Sequence, residues 1–169
     1  WLVPTLRLLG EEWSDGRMDI ASEHFASNAI MRRLGAAFDG AAAGRSKAQI
    51  LIGTPAGSFH EMGALALAAA AQRRGVGVIY LGNNVPAAAW VDSVKRHEAI
   101  GVVISVVMQS DVAATQETVD QLNAECPGTL IALGGPVAAE ITNASITLLG
   151  GIADSSKQLA DAVVSRRIR

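Results

Sequence analysis

From Lys47 onward, short apolar runs alternate with helical segments, and this alternation is the feature that most limits what the chain can fold into. Gln49–Gly53, Val76–Leu81, Gly101–Val107, Thr129–Leu133 and Ser145–Leu149 are dominated by apolar residues at consecutive positions. That pattern predicts strands buried on both faces. Glu61–Arg74, Ala87–His97, Ala113–Glu125 and Pro136–Asn143 read as the helices between them, with Ser155–Arg167 closing the chain. Regular β-α alternation implies an α/β class fold, a doubly wound, flavodoxin-like sheet of five parallel strands covered by helices on both faces. Ligands of such sheets sit at the carboxyl ends of the strands, where the strand order reverses.

Residues 1–45 have a different texture. They lack β-branched alternation and place apolar residues at helical spacing, which predicts a helical bundle before a second domain at 46–169. Leu2, Leu6 and Leu9 line one face of a first helix, with Trp13 a turn further on and Ser14-Asp15-Gly16 as its breaker. Asp19 is placed to N-cap a second helix, on which Ile20, His24, Ser27, Met31, Leu34 and Phe38 form one stripe. The stripe predicts that His24 faces inward. Asp39-Gly40 and Ala41–Gly44 read as the helix end and a linker.

With 169 residues the chain is long enough for a full α/β core. Its net charge of -2 gives no electrostatic footprint for nucleic acid, so no direct nucleic-acid contact is expected. No apolar stretch approaches a membrane span and no secretory leader pattern is present, which predicts a cytoplasmic protein with no membrane partner. Cys126, the single cysteine, permits neither an internal disulfide nor a thiolate metal cage, and beside Pro127 it reads as a small filler. Trp90 reads as packing and His97 as a solvated cation at a helix C-terminus.

The loop Gly57–Gly63, GSFHEMG, follows the first strand and carries His60. A lone histidine there would be an ordinary polar residue at a helix start. It does not stand alone: Ser105-Val106-Val107 ends the third strand and Gly134-Gly135 the fourth, so all three stretches fall on one edge of the sheet. In kind, order and spacing they resemble the cobalamin-binding domain, whose signature is DxHxxG, then SxL, then GG. The resemblance implies that His60 becomes the lower axial ligand of cobalt, a suitable role for a neutral imidazole. It implies that Ser58, Phe59, Glu61 and Gly63 contact the cofactor around it. Ser105, Val107, Gly134 and Gly135 would line the slot for the displaced nucleotide tail. Small residues suit that slot, since Gly-Gly allows close backbone approach. Two positions depart from the signature: the leading acid is Ser58 and the SxL leucine is Val107. Ser58 can accept the hydrogen bond that an acid would, without supplying its charge.

In the first domain, Trp13, nine residues and then Glu23-His24 resemble the W-x9-EH signature of CarH-type photoreceptors, adenosylcobalamin-dependent repressors of the MerR family. The resemblance covers the bundle and the cobalamin domain, and it does not include the winged helix-turn-helix that such repressors carry before the bundle. It implies that Trp13, Glu23 and His24 enclose the adenosyl group from above, and that the protein is a light sensor and transcription regulator rather than an enzyme. Expected partners are cobalamin, together with a second copy of the chain or a regulatory protein. In that family a histidine follows the tryptophan and ligates cobalt after light; here the residue is Ser14. The upper site after light then goes to water or to His24, and the void left by the adenosyl group favours His24. The alternatives are a corrinoid carrier of a methyltransferase system, which has no use for the W-x9-EH triad, and a cobalamin sensor without photochemistry.

Overall fold

The computed structural model describes Leu8, residues 15–41 and residues 49–167. Helix α1 (Ile20–Gly40) precedes β1 (Gln49–Pro55), α2 (Met62–Arg73), β2 (Gly77–Val85), α3 (Ala87–His97), β3 (Gly101–Ser105), α4 (Asp111–Glu125), β4 (Leu130–Gly134), β5 (Ile146–Thr147) and α5 (Ile152–Arg167). All neighbouring strands are parallel, in the order β2-β1-β3-β4-β5. The order reverses between β1 and β3, which opens the crevice of a doubly wound sheet at their carboxyl ends. The predicted α/β architecture is therefore the observed one.

The strands owe their place to two-sided burial. Along β1, Leu51 points to one face, where Trp90, Val91, Val94, Val119 and Leu122 of α3 and α4 pack against Val102, Ile104 and Ile131. Ile50 and Ile52 point to the other, against Ala64, Leu67, Ala68 and Ala71 of α2 and Leu159 and Val163 of α5. The alanines of α2 let that helix lie close to the sheet while its other side carries α1. Phe38, in the last turn of α1, packs on this second core and tilts against Tyr80 with ring centroids 6.0 Å apart.

Several expectations are corrected. Pro136–Asn143 does not form a helix; only a 3-10 turn, Ala138–Glu140, appears there. Ile141 returns to extended backbone, and the amide of Thr142 donates to Gln116 Oε1 at 2.9 Å while Gln116 Nε2 donates back to its carbonyl. Those bonds to α4 replace the ones a helix would make. β3 ends at Ser105, short of Val107, because the amides of Val107 and Met108 turn to a side chain of α4. Asp19 does cap α1, its Oδ1 accepting from the Ser22 amide at 2.9 Å.

The stripe on α1 is not an interior one. The helix has no buried residue: Ser27, Met31, Leu34 and Phe38 are half-buried, whereas Ile20 is 60% and Phe25 74% exposed. The helix packs on α2 and, through Phe38, on the second core, so periodicity overstated the burial of its first two turns. The first-helix residues Leu2, Leu6 and Leu9 lie outside the described residues, as do Ala42–Gly44 of the expected linker. Among the described residues no helix is long and apolar enough to cross a membrane.

Candidate functional site

The loop after β1 is fastened from beneath. The carbonyl of Ser58 accepts from Thr54 Oγ1 at 2.8 Å and from the amide of Asn84 at 2.9 Å, and the amide of Gly57 donates to Asn84 Oδ1 at 2.7 Å. Asn84 takes a left-handed φ of 53° to reach both partners, a conformation that asparagine tolerates better than most residues. The end of β2 thereby sets the height of the loop. Above this anchor Phe59 is 67% exposed, and His60 is exposed with no hydrogen-bond partner among the described residues.

The next residue is held again. Glu61 accepts from Tyr80 Oη at 2.7 Å and from Asn83 Nδ2, both on β2. Burial, and then the neighbouring Glu61 carboxylate, push the Tyr80 phenol well above its ordinary range. A phenol whose pKa is raised on folding contributes stability below its unfolded value near 10.0, and that contribution is lost as pH climbs past it. Tyr80→Phe is therefore expected to cost about 1 kcal/mol at neutral pH through the lost hydrogen bond. It should also flatten the fall of stability above about pH 10. Urea melts across pH 7 to 11 read both effects, and an alkaline limb as steep in the variant as in the parent would refute the second.

Ser58 faces inward and is 1% exposed; its Oγ donates to Asp111 Oδ2 at 3.1 Å. The same oxygen accepts the amides of Val107 at 3.0 Å and Met108 at 2.9 Å. Asp111 thus joins the loops after β1 and β3 across the point where the sheet order reverses. Beyond it, the amide of Val106 donates to the carbonyl of Gly134 at 2.7 Å. A Cβ on Gly134 would meet nothing within 4 Å, whereas one on Gly135, whose φ is +112°, would come 2.1 Å from the carbonyl oxygen of Val106. The two glycines therefore do different things: the first leaves open space, the second closes a loop-to-loop contact.

The fold brings Ser58, Phe59, His60, Glu61, Gly63, Ser105, Val107, Gly134 and Gly135 to the carboxyl edge of the sheet. Glu23 and His24 stand together on the first turn of α1, with His24 Nδ1 2.9 Å from Glu23 Oε2, but the His24 side chain is 66% exposed rather than turned inward. Trp13 and Ser14 lie outside the described residues. Sequence reasoning gave no site role to Thr54, Tyr80, Asn83, Asn84 or Asp111, because their contacts depend on which loops the sheet order makes neighbours.

The chemistry of the donors fits a cobalamin. Among the described residues no three His, Cys, Asp or Glu side chains converge on a metal position, as a bare ion held by protein alone would need. A corrin brings the remaining ligands itself. The exposed Phe59, Met108 (46%) and Leu149 (66%) follow β1, β3 and β5 at the carboxyl edge of the sheet.

Residues 48–155 match the B12 binding domain family. The chain is 30% identical over 159 residues to the HTH-type transcriptional repressor CarA of Myxococcus xanthus, covering 94% of this chain and 54% of the relative. It is 31% identical over 138 residues to the HTH-type transcriptional repressor CarH of the same organism, covering 81% and 46%. The chain thus spans about half the length of the curated relatives it matches. Among solved structures it resembles the monomethylamine corrinoid protein of Methanosarcina barkeri, with a TM-score of 0.71 at 15% identity over 92% of this chain and 77% of that one. The methanol:cobalamin methyltransferase complex MtaBC of that organism gives 0.64 at 20% identity over 93% and 63%. A cobalamin-binding protein of Desulfitobacterium hafniense DCB-2 gives 0.61 at 26% identity over 90% and 75%. At 15% and 20% identity the first two likenesses speak for the fold alone.

Proposed function

The chain belongs to the B12-binding family, and on that premise we propose that it is an adenosylcobalamin-dependent light sensor that regulates transcription. The observation that carries the reading is His60: an exposed imidazole, unpartnered among the described residues, on an anchored loop where the sheet order reverses. In this reading His60 holds cobalt from below, and Ser105, Val107, Gly134 and Gly135 border the slot for the nucleotide tail. Residues 1–45 form the upper cap, with Trp13, Glu23 and His24 around the adenosyl group, and residues 46–169 form the cobalamin domain. The bound cofactor supplies a cobalt–carbon bond that light can break. Contacts the cap makes in the dark are lost in the light, and the cap and any partner or second copy of the chain respond to that loss. The relatives named as transcriptional repressors support the regulatory part, because the likeness to CarA extends beyond the B12 domain to 94% of the chain.

A corrinoid carrier for methyl transfer is the second reading, since such a carrier needs the same B12-binding domain. Reconstitution in the dark with adenosylcobalamin, followed by green light, separates the two. A light sensor changes its visible spectrum once and changes its size in solution, and His24→Ala alters the illuminated spectrum if His24 then ligates cobalt. A chain that binds methylcobalamin as well as adenosylcobalamin and keeps its size in light is a carrier.

A further inference from the structure

Asp111 is the one charged side chain among the described residues that is buried, at 2% exposed, and no cation pairs with it there. A carboxylate so placed costs several kcal/mol unless its hydrogen bonds are made, so a site that keeps one has a use for it or a strong structural need. Two of its donors, the amides of Val107 and Met108, would be served equally by an asparagine oxygen. The third is Ser58 Oγ, two residues before His60 and 53 residues before Asp111 in sequence. A serine hydroxyl that gives its proton to Asp111 keeps its lone pairs free for another donor.

We propose that Asp111 is the positioning carboxylate of His60, acting through Ser58. The imidazole N–H not used for the metal donates to Ser58 Oγ, whose own O–H is already committed to Asp111. The acid that the family signature places at position 58 itself thus stands one hydroxyl further back, at the first residue of α4. Its negative charge orients the ring and strengthens the imidazole as a donor, as carboxylates behind metal-ligating histidines do. The idea rests on His60 being the cobalt ligand.

The test uses the whole chain, with three single variants, Asp111→Asn, Ser58→Ala and His60→Ala, and with methylcobalamin as the probe in the dark. Two readouts are taken: the melting temperature of the cofactor-free protein, and the visible band of the bound fraction, which separates nitrogen-ligated from nitrogen-free cobalamin. Asp111→Asn keeps an acceptor for both amides and should melt within a few degrees of the parent. It should still lose about tenfold in the constant for the His60-ligated form. Ser58→Ala should lose as much, and the double variant no more than either, because the two act in one chain. Ser58→Asp combined with Asp111→Asn, which returns the acid to position 58, should recover nitrogen ligation. A purely structural Asp111 would lower melting temperature and affinity together and leave the bound cofactor fully nitrogen-ligated, which would overturn the proposal. Losses that add in the double variant would overturn it as well. If His60→Ala leaves the band unchanged, the ligand assignment and this proposal fall together; if it shifts the band while Asp111→Asn and Ser58→Ala do not, only this proposal falls.

Discussion

His60→Ala abolishes nitrogen ligation of the bound cobalamin and lowers its affinity by about 100-fold or more, while the cofactor-free chain melts as before. The two halves of this expectation come from different observations. The ring is exposed and has no hydrogen-bond partner among the described residues, so removing it from the cofactor-free fold costs within about 0.5 kcal/mol. Changes to groups that merely stand behind a metal ligand already cost about 10- to 100-fold in affinity, and loss of the ligand itself costs no less. Equilibrium dialysis with adenosylcobalamin, together with the visible spectrum of the retained fraction, reads the first half; a thermal melt reads the second. An unchanged spectrum and affinity would refute His60 as the ligand, and with it the reading of the GSFHEMG loop. A fall in melting temperature of many degrees would mean that the loop has a structural role its hydrogen bonds do not reveal.

The strands and most helices could be read from sequence because burial on both faces leaves a mark that needs no tertiary knowledge. Ile50-Leu51-Ile52 and Gly101-Val102-Val103-Ile104 are apolar at every position, and the helices α2, α3 and α5 begin and end within a few residues of their predicted limits. The segment 136–143 was misread because its apolar content is equally compatible with a helix and with an extended run tethered by Gln116. Only the placement of α4 decides between them. The stripe on α1 was misread for a related reason: a period of 3.6 shows which face is apolar but not how much of that face finds a partner.

Around the proposed site, residues that belong to spaced motifs can be named from sequence, and the residues that support them cannot. His60, Ser105 and Gly134-Gly135 follow a recognisable order along the chain. Asp111 carries no signal beyond an acid near a helix start, and the predicted helix began after it, at Ala113. Its burial beneath the loop of β1 follows from the reversal of strand order, which sets the loops after β1 and β3 side by side. Ser58 looked in sequence like an acceptor standing in for an acid. In the fold its hydroxyl is a donor to a real one.

The glycine pair at the end of β4 offers a sharper trial of the site, because the neighbours should respond oppositely to the same change. At Gly135 an added Cβ would lie 2.1 Å from the carbonyl oxygen of Val106 and 2.8 Å from its carbon, both backbone atoms, at a φ of +112° that side chains rarely adopt. The backbone there cannot step aside cheaply, since the Val106 amide is bonded to the carbonyl of Gly134 and Val106 itself is fully buried. Strained φ and overpacking each cost about 1–3 kcal/mol, so Gly135→Ala is expected to destabilise the fold by about 3 kcal/mol or more. At Gly134 a Cβ meets nothing within 4 Å, and its φ is not in the left-handed range, so Gly134→Ala should leave urea stability within about 0.5 kcal/mol of the parent. If the open space beside Gly134 receives the nucleotide tail, a methyl group there narrows the slot. The Gly134→Ala chain should then bind adenosylcobalamin more weakly, while cobinamide, which lacks the tail, binds as it does to the parent. Equal weakening of both ligands would place the methyl against the corrin instead. No weakening of either would remove Gly134 from the site and leave the glycine pair with only the structural task that Gly135 performs.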